Sequence, residues 1–354
     1  MSEDARWLAA LGEHARARLP REVYDYVAQG SREGVTAGEA AWAWHGHRLH
    51  PHVLRDVTDI DLSVPLLEGG ASVPWGVAPT TLQGAVHPDG ELAVARATAA
   101  VDGLMVVSSN AGVTVEEVAA TGVRWWLQGY LPSDRTLAVP LLRRAVAAGA
   151  GAVVLTVDTP VVATKYAAER AAVERRHPDL VGANLDLAAP NAEKALDLGP
   201  HDLDWLRELT GLPVVVKGVL RADDAQRCVQ AGAAAVWVSN HGGRQLDRAV
   251  ATAAALPDVV AAVGGRAQVY VDGGVRSGID VVTALALGAD TVFLGRPVMW
   301  ALVDGEPGVA RMHRELRVQT TETLRLAGCS SVSDARGIAS PAGLRSLDQA
   351  ADLQ

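Results

Sequence analysis

The sequence predicts an α/β fold: a (β/α)8 TIM barrel with an N-terminal helical segment and a long loop after the fourth strand. Three observations point there. First, eight short apolar runs recur: VPWGVAPT (73–80), LMVVSS (104–109), RWWLQGY (124–130), AVVLTVD (152–158), PVVVKG (213–218), AAVWVSN (234–240), AQVYVDGG (267–274) and TVFLGRP (291–297). Most are continuous and β-branched, as strands buried on both faces are. Second, amphipathic stretches such as GELAVARATAAV, TLAVPLLRRAVAAG, ADDAQRCVQAG and GIDVVTALALG lie between them. Several close on Ala-Gly or Leu-Gly, a common helix stop. Third, no GxGxxG follows the first run, which argues against the rival open, doubly wound sheet.

The flanking elements follow in chain order. Residues 1–60 read as helices joined by loops. LGEHARARLPREVYDYVAQG sets Leu19, Val23 and Tyr26 near one face and stops at Gly30. A second helical pattern, TAGEAAWAWHGHRL, begins at Thr36. Between the fourth and fifth runs, TKYAAERAAVERRHPDLVGANLDLAAPNAEKALDLGP is charged and lacks a strand pattern. A long βα insertion of a barrel lies over its active face, so residues 161–205 are expected to form a lid. The tail, 307–345, is helical through GVARMHRELRVQTTETLRLAG and then polar. Residues 1–354 are read as one barrel domain.

Composition narrows the function classes. Of 354 residues, 49% are apolar, enough for a large core. Lys and Arg number 32 against 41 Asp and Glu, a net charge of −9, which argues against nucleic acid or an anionic membrane as partner. Cys228 and Cys329 have no metal spacing and make no disulfide framework, so no metal is expected. The N-terminal stretch has no signal-peptide pattern, and no run of about 18 apolar residues occurs, so a cytoplasmic protein without a membrane span is expected.

Barrel active sites sit at the C-terminal ends of the strands. Those ends carry Pro79, Thr80 and Thr81; Ser108 and Ser109; Gln128 and Tyr130; Thr156 and Asp158; Lys217; Ser239, Asn240 and His241; Asp272, Gly273 and Gly274; and Gly295 and Arg296. One polar strand end is usually a turn or cap; eight together indicate a site. DGGVRSG and LGRP follow the seventh and eighth runs, where barrels hold phosphate on backbone N–H groups. There, Gly273, Gly274 and Gly295 allow close approach, and Arg276 and Arg296 add charged donors. Within VSNHGGRQLD, His241 and Arg244 set a proton acceptor beside an anion clamp. Lys217 leaves a second chemistry open, a flavin-free phosphate-binding lyase working through a Schiff base.

SNHGGRQLD resembles the active-site signature of the FMN-dependent 2-hydroxy acid oxidases and dehydrogenases, such as glycolate oxidase, lactate oxidase and mandelate dehydrogenase. The resemblance runs through LPREVYDYVAQGS, DVTDIDLS, APTTLQGAVHPDGELAVARA, WLQGY, LTVDTP, VVVKGV, DGGVRSGIDVVTALALGA, FLGRPV and LAGCSSV. It implies FMN as cofactor and a 2-hydroxy acid as substrate. Oxygen, a quinone or a protein would accept the electrons, and the chain would form a homo-oligomer, a tetramer or octamer. It also implies residue roles. His241 is the base, and Asp158 pairs with the imidazolium. Arg244 holds the substrate carboxylate, and Tyr26 and Tyr130 contact the carboxylate and hydroxyl. Lys217, with Ser239 beside it, stabilises the reduced flavin. Pro79, Thr80, Thr81, Ser108, Gln128 and Thr156 meet the isoalloxazine ring. Asp272, Gly274, Arg276, Gly295 and Arg296 hold the ribityl phosphate.

The family pattern breaks at four places. Thr164-Lys165 stands where many members have a second substrate Arg. Asn110 replaces a Trp found in glycolate oxidase after the second-strand serines, and Thr81 replaces an Ala near the flavin. Pro51-His52 replaces Pro-Arg. Lys165 is a point charge and not a planar fork, and Asn110 is smaller than Trp, so a substrate larger than glycolate is expected. An FMN enzyme acting on another Cα–OH or on a Cα–NH2 is the nearest alternative, and a non-catalytic flavin-binding relic is a further one.

Overall fold

A computed structural model describes residues 6–167, 173, 180, 182–185 and 189–342. Eight strands close into a barrel: β1 (Trp75–Val77), β2 (Leu104–Ser108), β3 (Arg124–Gly129), β4 (Val153–Thr156), β5 (Val214–Val219), β6 (Ala235–Val238), β7 (Gln268–Val271) and β8 (Thr291–Leu294). Each falls on one of the eight runs, with β5 running one residue beyond its run to Val219, and closure excludes the open sheet. All neighbours pair in parallel, and β8 returns to β1 through Val292 opposite Trp75. The strand residues are almost all buried, because helices cover the outer face and side chains fill the inner one.

Register determines what the rim presents. Ser108 pairs with Gln128, and Thr156 pairs with Lys217, so polar side chains arrive at one level. The β5–β6 register slips between Lys217 and Val219. Gly218 sits there at φ +116°, and a Cβ on it would meet the Asp158 Cβ at 2.7 Å. That bulge lets the loop after β4 lie against β5. Inside the barrel, Trp126, Trp237, Tyr270 and Phe293 form an aromatic plug, with the Trp237 and Phe293 rings 4.0 Å apart. Two of the nine tryptophans therefore fill the barrel interior.

The helical stretches form as expected at Gly90–Ala99, Val139–Ala147, Ala222–Gln230 and Gly278–Ala286. Gly149, Gly232 and Gly288 follow three of them with φ of +85°, +82° and +106°, the left-handed stop that a Cβ disfavours. Helix Gly305–Leu326 lies against the outside of the barrel, where its buried His313 Nδ1 accepts from Trp75 Nε1 at 3.1 Å.

Two boundaries differ from expectation. The N-terminal helices end at His45, because His47–Leu49 pairs antiparallel with Ala339–Pro341 and takes the chain into a two-stranded ribbon. Residues 50–60 are irregular rather than helical. At the other boundary, residues 200–205 belong to helix Pro200–Thr210 and not to a lid; Pro200 starts it, and Gly211 at φ +68° ends it. Of the expected lid, residues 168–172, 174–179, 181 and 186–188 lie outside the described residues. No helix among the described residues is long and apolar enough to cross a membrane.

Candidate active site

A cavity of about 580 Å³ opens at the C-terminal rim. Every expected site residue lines it except Thr156, Asp158 and Ser239. Those three stand one layer back and each holds a residue that does line it. Thr156 Oγ1 accepts from Gln128 Nε2 at 3.0 Å, and Gln128 Oε1 accepts from Ser108 Oγ at 3.1 Å. Thr156 thus orients Gln128 and does not itself face the cavity.

His241 sits on a turn of three consecutive left-handed residues, with φ +60°, +64° and +73° at His241, Gly242 and Gly243. Gly243 is required there: a Cβ would lie 2.4 Å from the Ala37 N of helix Val35–His45. A non-glycine residue in this region costs roughly 1–2 kcal/mol, so surrounding bonds must hold it. Ser239 Oγ accepts the His241 N–H at 3.0 Å, and Asn240 Oδ1 accepts the Gly243 N–H at 3.1 Å. The turn after β6 therefore brings the imidazole to the cavity wall.

Behind the imidazole, His241 Nδ1 lies 2.9 Å from Asp158 Oδ1, and Thr159 Oγ1 donates to the same oxygen at 2.9 Å. A carboxylate can only accept, so Nδ1 carries the proton and Nε2 is left as the acceptor. Burial pushes the imidazole below its ordinary value, and Asp158 pulls the other way. Burial raises the Asp158 carboxyl, but His241, Lys217 and Thr159 together outweigh it and hold it at about 2. The free site is thus a neutral imidazole backed by a carboxylate, which can stabilise a proton when one arrives.

Lys217 Nζ donates to Ser239 Oγ at 2.9 Å and lies 3.3 Å from Asp272 Oδ2. Ser239 Oγ donates on to Asp272 Oδ1 at 2.7 Å. Ser239 therefore joins the lysine, the aspartate and the histidine backbone, a centrality its position in the sequence does not reveal.

Three guanidiniums also line the cavity, Arg244 near His241 and Lys165, and Arg296 near both Arg244 and Arg276. Arg244 Nη1 donates to the carbonyls of Tyr26, Val27 and Gln29 at 2.7, 3.3 and 3.2 Å, and its carbon lies 4.8 Å from the Tyr26 ring centre. Asp247 does not pair with it; that carboxylate caps the N–H groups of Gly34 and Thr36 instead. Arg296 donates to the carbonyls of Val27, Gln29 and Gly242. Burial, with Arg244 and Arg276 nearby, pushes Arg296 down to about 9, and burial pushes Arg276 to about 10. Guanidiniums stay charged in proteins, so these shifts register a cationic pocket that favours an anion. Gly295 borders it, and a Cβ there would meet nothing within 4 Å, leaving open space for a ligand. Gly274 differs: at φ +82° its Cβ would strike the Ala40 carbonyl oxygen at 1.9 Å. It is needed for packing, and only its backbone faces the cavity.

Lys165 Nζ donates to the carbonyl oxygens of Ala163 and Arg244, and burial followed by Arg244 pushes it down to about 8. Tyr26 Oη and Thr81 Oγ1 are 3.4 Å apart. Lys194 also lines the cavity, its Nζ 3.8 Å from the Tyr130 ring centre. Nothing in the local sequence marks Lys194, because a long-range pairing of the insertion delivers it. Trp44 is likewise unmarked in the sequence: its Nε1 donates to the Gly273 carbonyl at 2.8 Å and braces the DGG turn.

A barrel rim with a cationic phosphate-sized end, a row of amide and hydroxyl groups, a lysine and a carboxylate-backed histidine defines a flavin-mononucleotide oxidoreductase. Residues 15–339 match the family described as FMN-dependent dehydrogenase. The chain belongs to this family and is an FMN-dependent enzyme. It is 42% identical to glycolate oxidase 3 of Arabidopsis thaliana, covering 90% of this chain and 91% of that protein. It is 38% identical to L-lactate oxidase of Nostoc sp., covering 90% and 93%. A solved structure of mandelate oxidase with (S)-4-hydroxymandelic acid superposes with a TM-score of 0.87 at 38% identity, covering 94% of this chain and 98% of that one.

Proposed function

We propose that this enzyme oxidises the Cα–OH of a 2-hydroxy acid larger than glycolate to the 2-oxo acid. The observation that carries this reading is the Asp158–His241 pair at 2.9 Å, which leaves Nε2 as the acceptor on a cavity wall shared with Arg244. Arg244, Tyr26 and Lys165 bind and orient the carboxylate. Tyr130 contacts the hydroxyl. His241 Nε2 takes a proton from the substrate, and Asp158 stabilises the imidazolium so formed. The bound FMN supplies the two-electron acceptor. Gln128, Ser108, Thr80 and Pro79 would hold its ring edge and Lys217 the pyrimidine side. Arg276, Arg296, Gly295 and the Gly274 backbone would hold its phosphate. Membership of an FMN family sets aside the flavin-free lyase.

Anaerobic mixing with glycolate, lactate, mandelate, hydroxymandelate and the matching 2-amino acids tests the reading. Reduction of the flavin absorbance is expected with the hydroxy acids, fastest with the aromatic ones, since Asn110 leaves more room than a Trp and its amide can bond a polar group. A clear preference for glycolate would remove the wide-pocket reading, and reduction by amino acids alone would remove the hydroxyl. His241→Ala should retain FMN and slow reduction by about 10²–10⁴-fold, the scale of a lost general base.

The electron acceptor is proposed to be a quinone or protein in preference to oxygen. Thr81 adds bulk at a cavity position where many oxidases carry Ala. Thr81→Ala should then speed reoxidation of the reduced enzyme by air; an unchanged rate would count against crowding.

A further inference from the structure

We infer that Lys194, carried by the insertion between β4 and β5, is a positioning residue that aims the Tyr130 hydroxyl at the substrate. The inference rests on the 2-hydroxy acid reading above. It starts from the backbone. The returning limb of the insertion pairs antiparallel with the loop after β3, with Lys194 opposite Pro132. Ser133 N–H donates to the Glu193 carbonyl at 2.8 Å, and Ala195 N–H donates to the Leu131 carbonyl at 2.9 Å. Side chains in such a ribbon alternate with a period of two, and directly opposed residues share a face. Tyr130 lies two residues before Pro132, so Lys194 and Tyr130 emerge on the same side as diagonal neighbours.

The ammonium accordingly lies 3.8 Å from the Tyr130 ring centre, and both residues line the cavity. A cation over an aromatic face is attracted by the ring quadrupole, and the attraction depends on where the face points. It therefore resists a swing of the whole side chain about χ1 away from the ammonium, which holds the hydroxyl oxygen in place. The limb that carries Lys194 is itself clamped. Ser133 Oγ donates to Glu193 Oε1 at 2.7 Å. Arg135 donates to Asp197 Oδ1 at 2.7 Å and to the buried Asp202 Oδ1 at 3.1 Å. The insertion thus contributes a fixed cation to the site.

Rapid-mixing flavin reduction by the best 2-hydroxy acid tests this on FMN-loaded wild type, Lys194→Met, Lys194→Arg, Tyr130→Phe and the Lys194→Met/Tyr130→Phe double variant. Lys194→Met should slow the limiting reduction rate by about 2- to 30-fold, the worth of one cation–π contact. Lys194→Arg should restore most of it, since a guanidinium also stacks on the ring. In the Tyr130→Phe background Lys194→Met should cost nothing more, because the hydroxyl it aims is gone. Loss of the same factor in both backgrounds would show a merely structural lysine and overturn the assignment. So would an unchanged rate in Lys194→Met, or Lys194→Arg no better than Lys194→Met. A wild type that no 2-hydroxy acid reduces would instead remove the oxidation reading, and this assignment with it.

Discussion

Lys165 and His241 set the pH limits expected of the free enzyme. Burial and Arg244 lower Lys165 to about 8, so it is charged below that value and loses its charge above it. If it helps hold the carboxylate, kcat/KM, which reports the free enzyme, should fall as pH rises through about 8. Lys165→Arg should abolish that basic limb, since a guanidinium does not titrate there. A limb that persists in Lys165→Arg belongs to another group. His241 must be neutral to accept a proton, and burial lowers it, so the acid limb should lie below the ordinary histidine range. Asp158→Asn would remove the counter-charge, move that limb lower still, and slow reduction. Most of the residues that line the cavity are legible at this scale, because strand ends declare themselves by polar residues after apolar runs. What was not legible is how those residues spend their bonds. Arg244 and Arg296 donate to carbonyls of the N-terminal segment, which lies more than two hundred positions away in the chain. Local sequence carries no trace of such pairings.

At the scale of elements, the strands were legible because burial on both faces demands an uninterrupted β-branched run, a pattern visible without knowing the partners. The N-terminal ribbon and helix Pro200–Thr210 were not, since pairing with residues 339–341 and a charged, half-exposed helix leave weaker patterns. Two of the phosphate-loop glycines, Gly274 and Gly295, divide in the same way. Both fit a cradle by sequence, yet their side-chain directions differ. A Cβ at Gly295 points into open cavity, whereas one at Gly274 strikes the Ala40 carbonyl oxygen from a positive φ. Gly295→Val should fold with near-normal thermal stability but emerge depleted of FMN. Gly274→Val should lose stability whether or not FMN is added. Thermal melts and flavin content of the two purified variants check this. Equal destabilisation would mean that Gly295 is also a packing glycine.

At the scale of the whole molecule, the cationic part of the cavity is a joint between the barrel rim and the N-terminal helices. Helix Arg21–Ala28 and the residues after it offer carbonyl oxygens to Arg244 and Arg296, and the Tyr26 ring to Arg244. These carry only partial charge, so buried Arg296 feels the repulsion of Arg244 and Arg276, which Asp272 offsets in part, while Asp280 lies near Arg276. A phosphate dianion bound there relieves that repulsion. Binding to the native state alone stabilises it by RT ln(1 + [L]/Kd), about 4 kcal/mol at a thousandfold excess over Kd. For a chain of this size that corresponds to an upward shift in Tm on the order of 10 °C. The phosphate contribution can be isolated by comparing FMN with riboflavin, which shares the ring and ribityl chain. FMN should raise the Tm of stripped protein well beyond riboflavin at equal concentration, and Arg296→Met should shrink that difference. Raising salt should change it little, because buried charges are poorly screened. Equal stabilisation by the two flavins would mean that the guanidinium cluster does not hold the phosphate, and that the stabilisation comes from the ring end of the site.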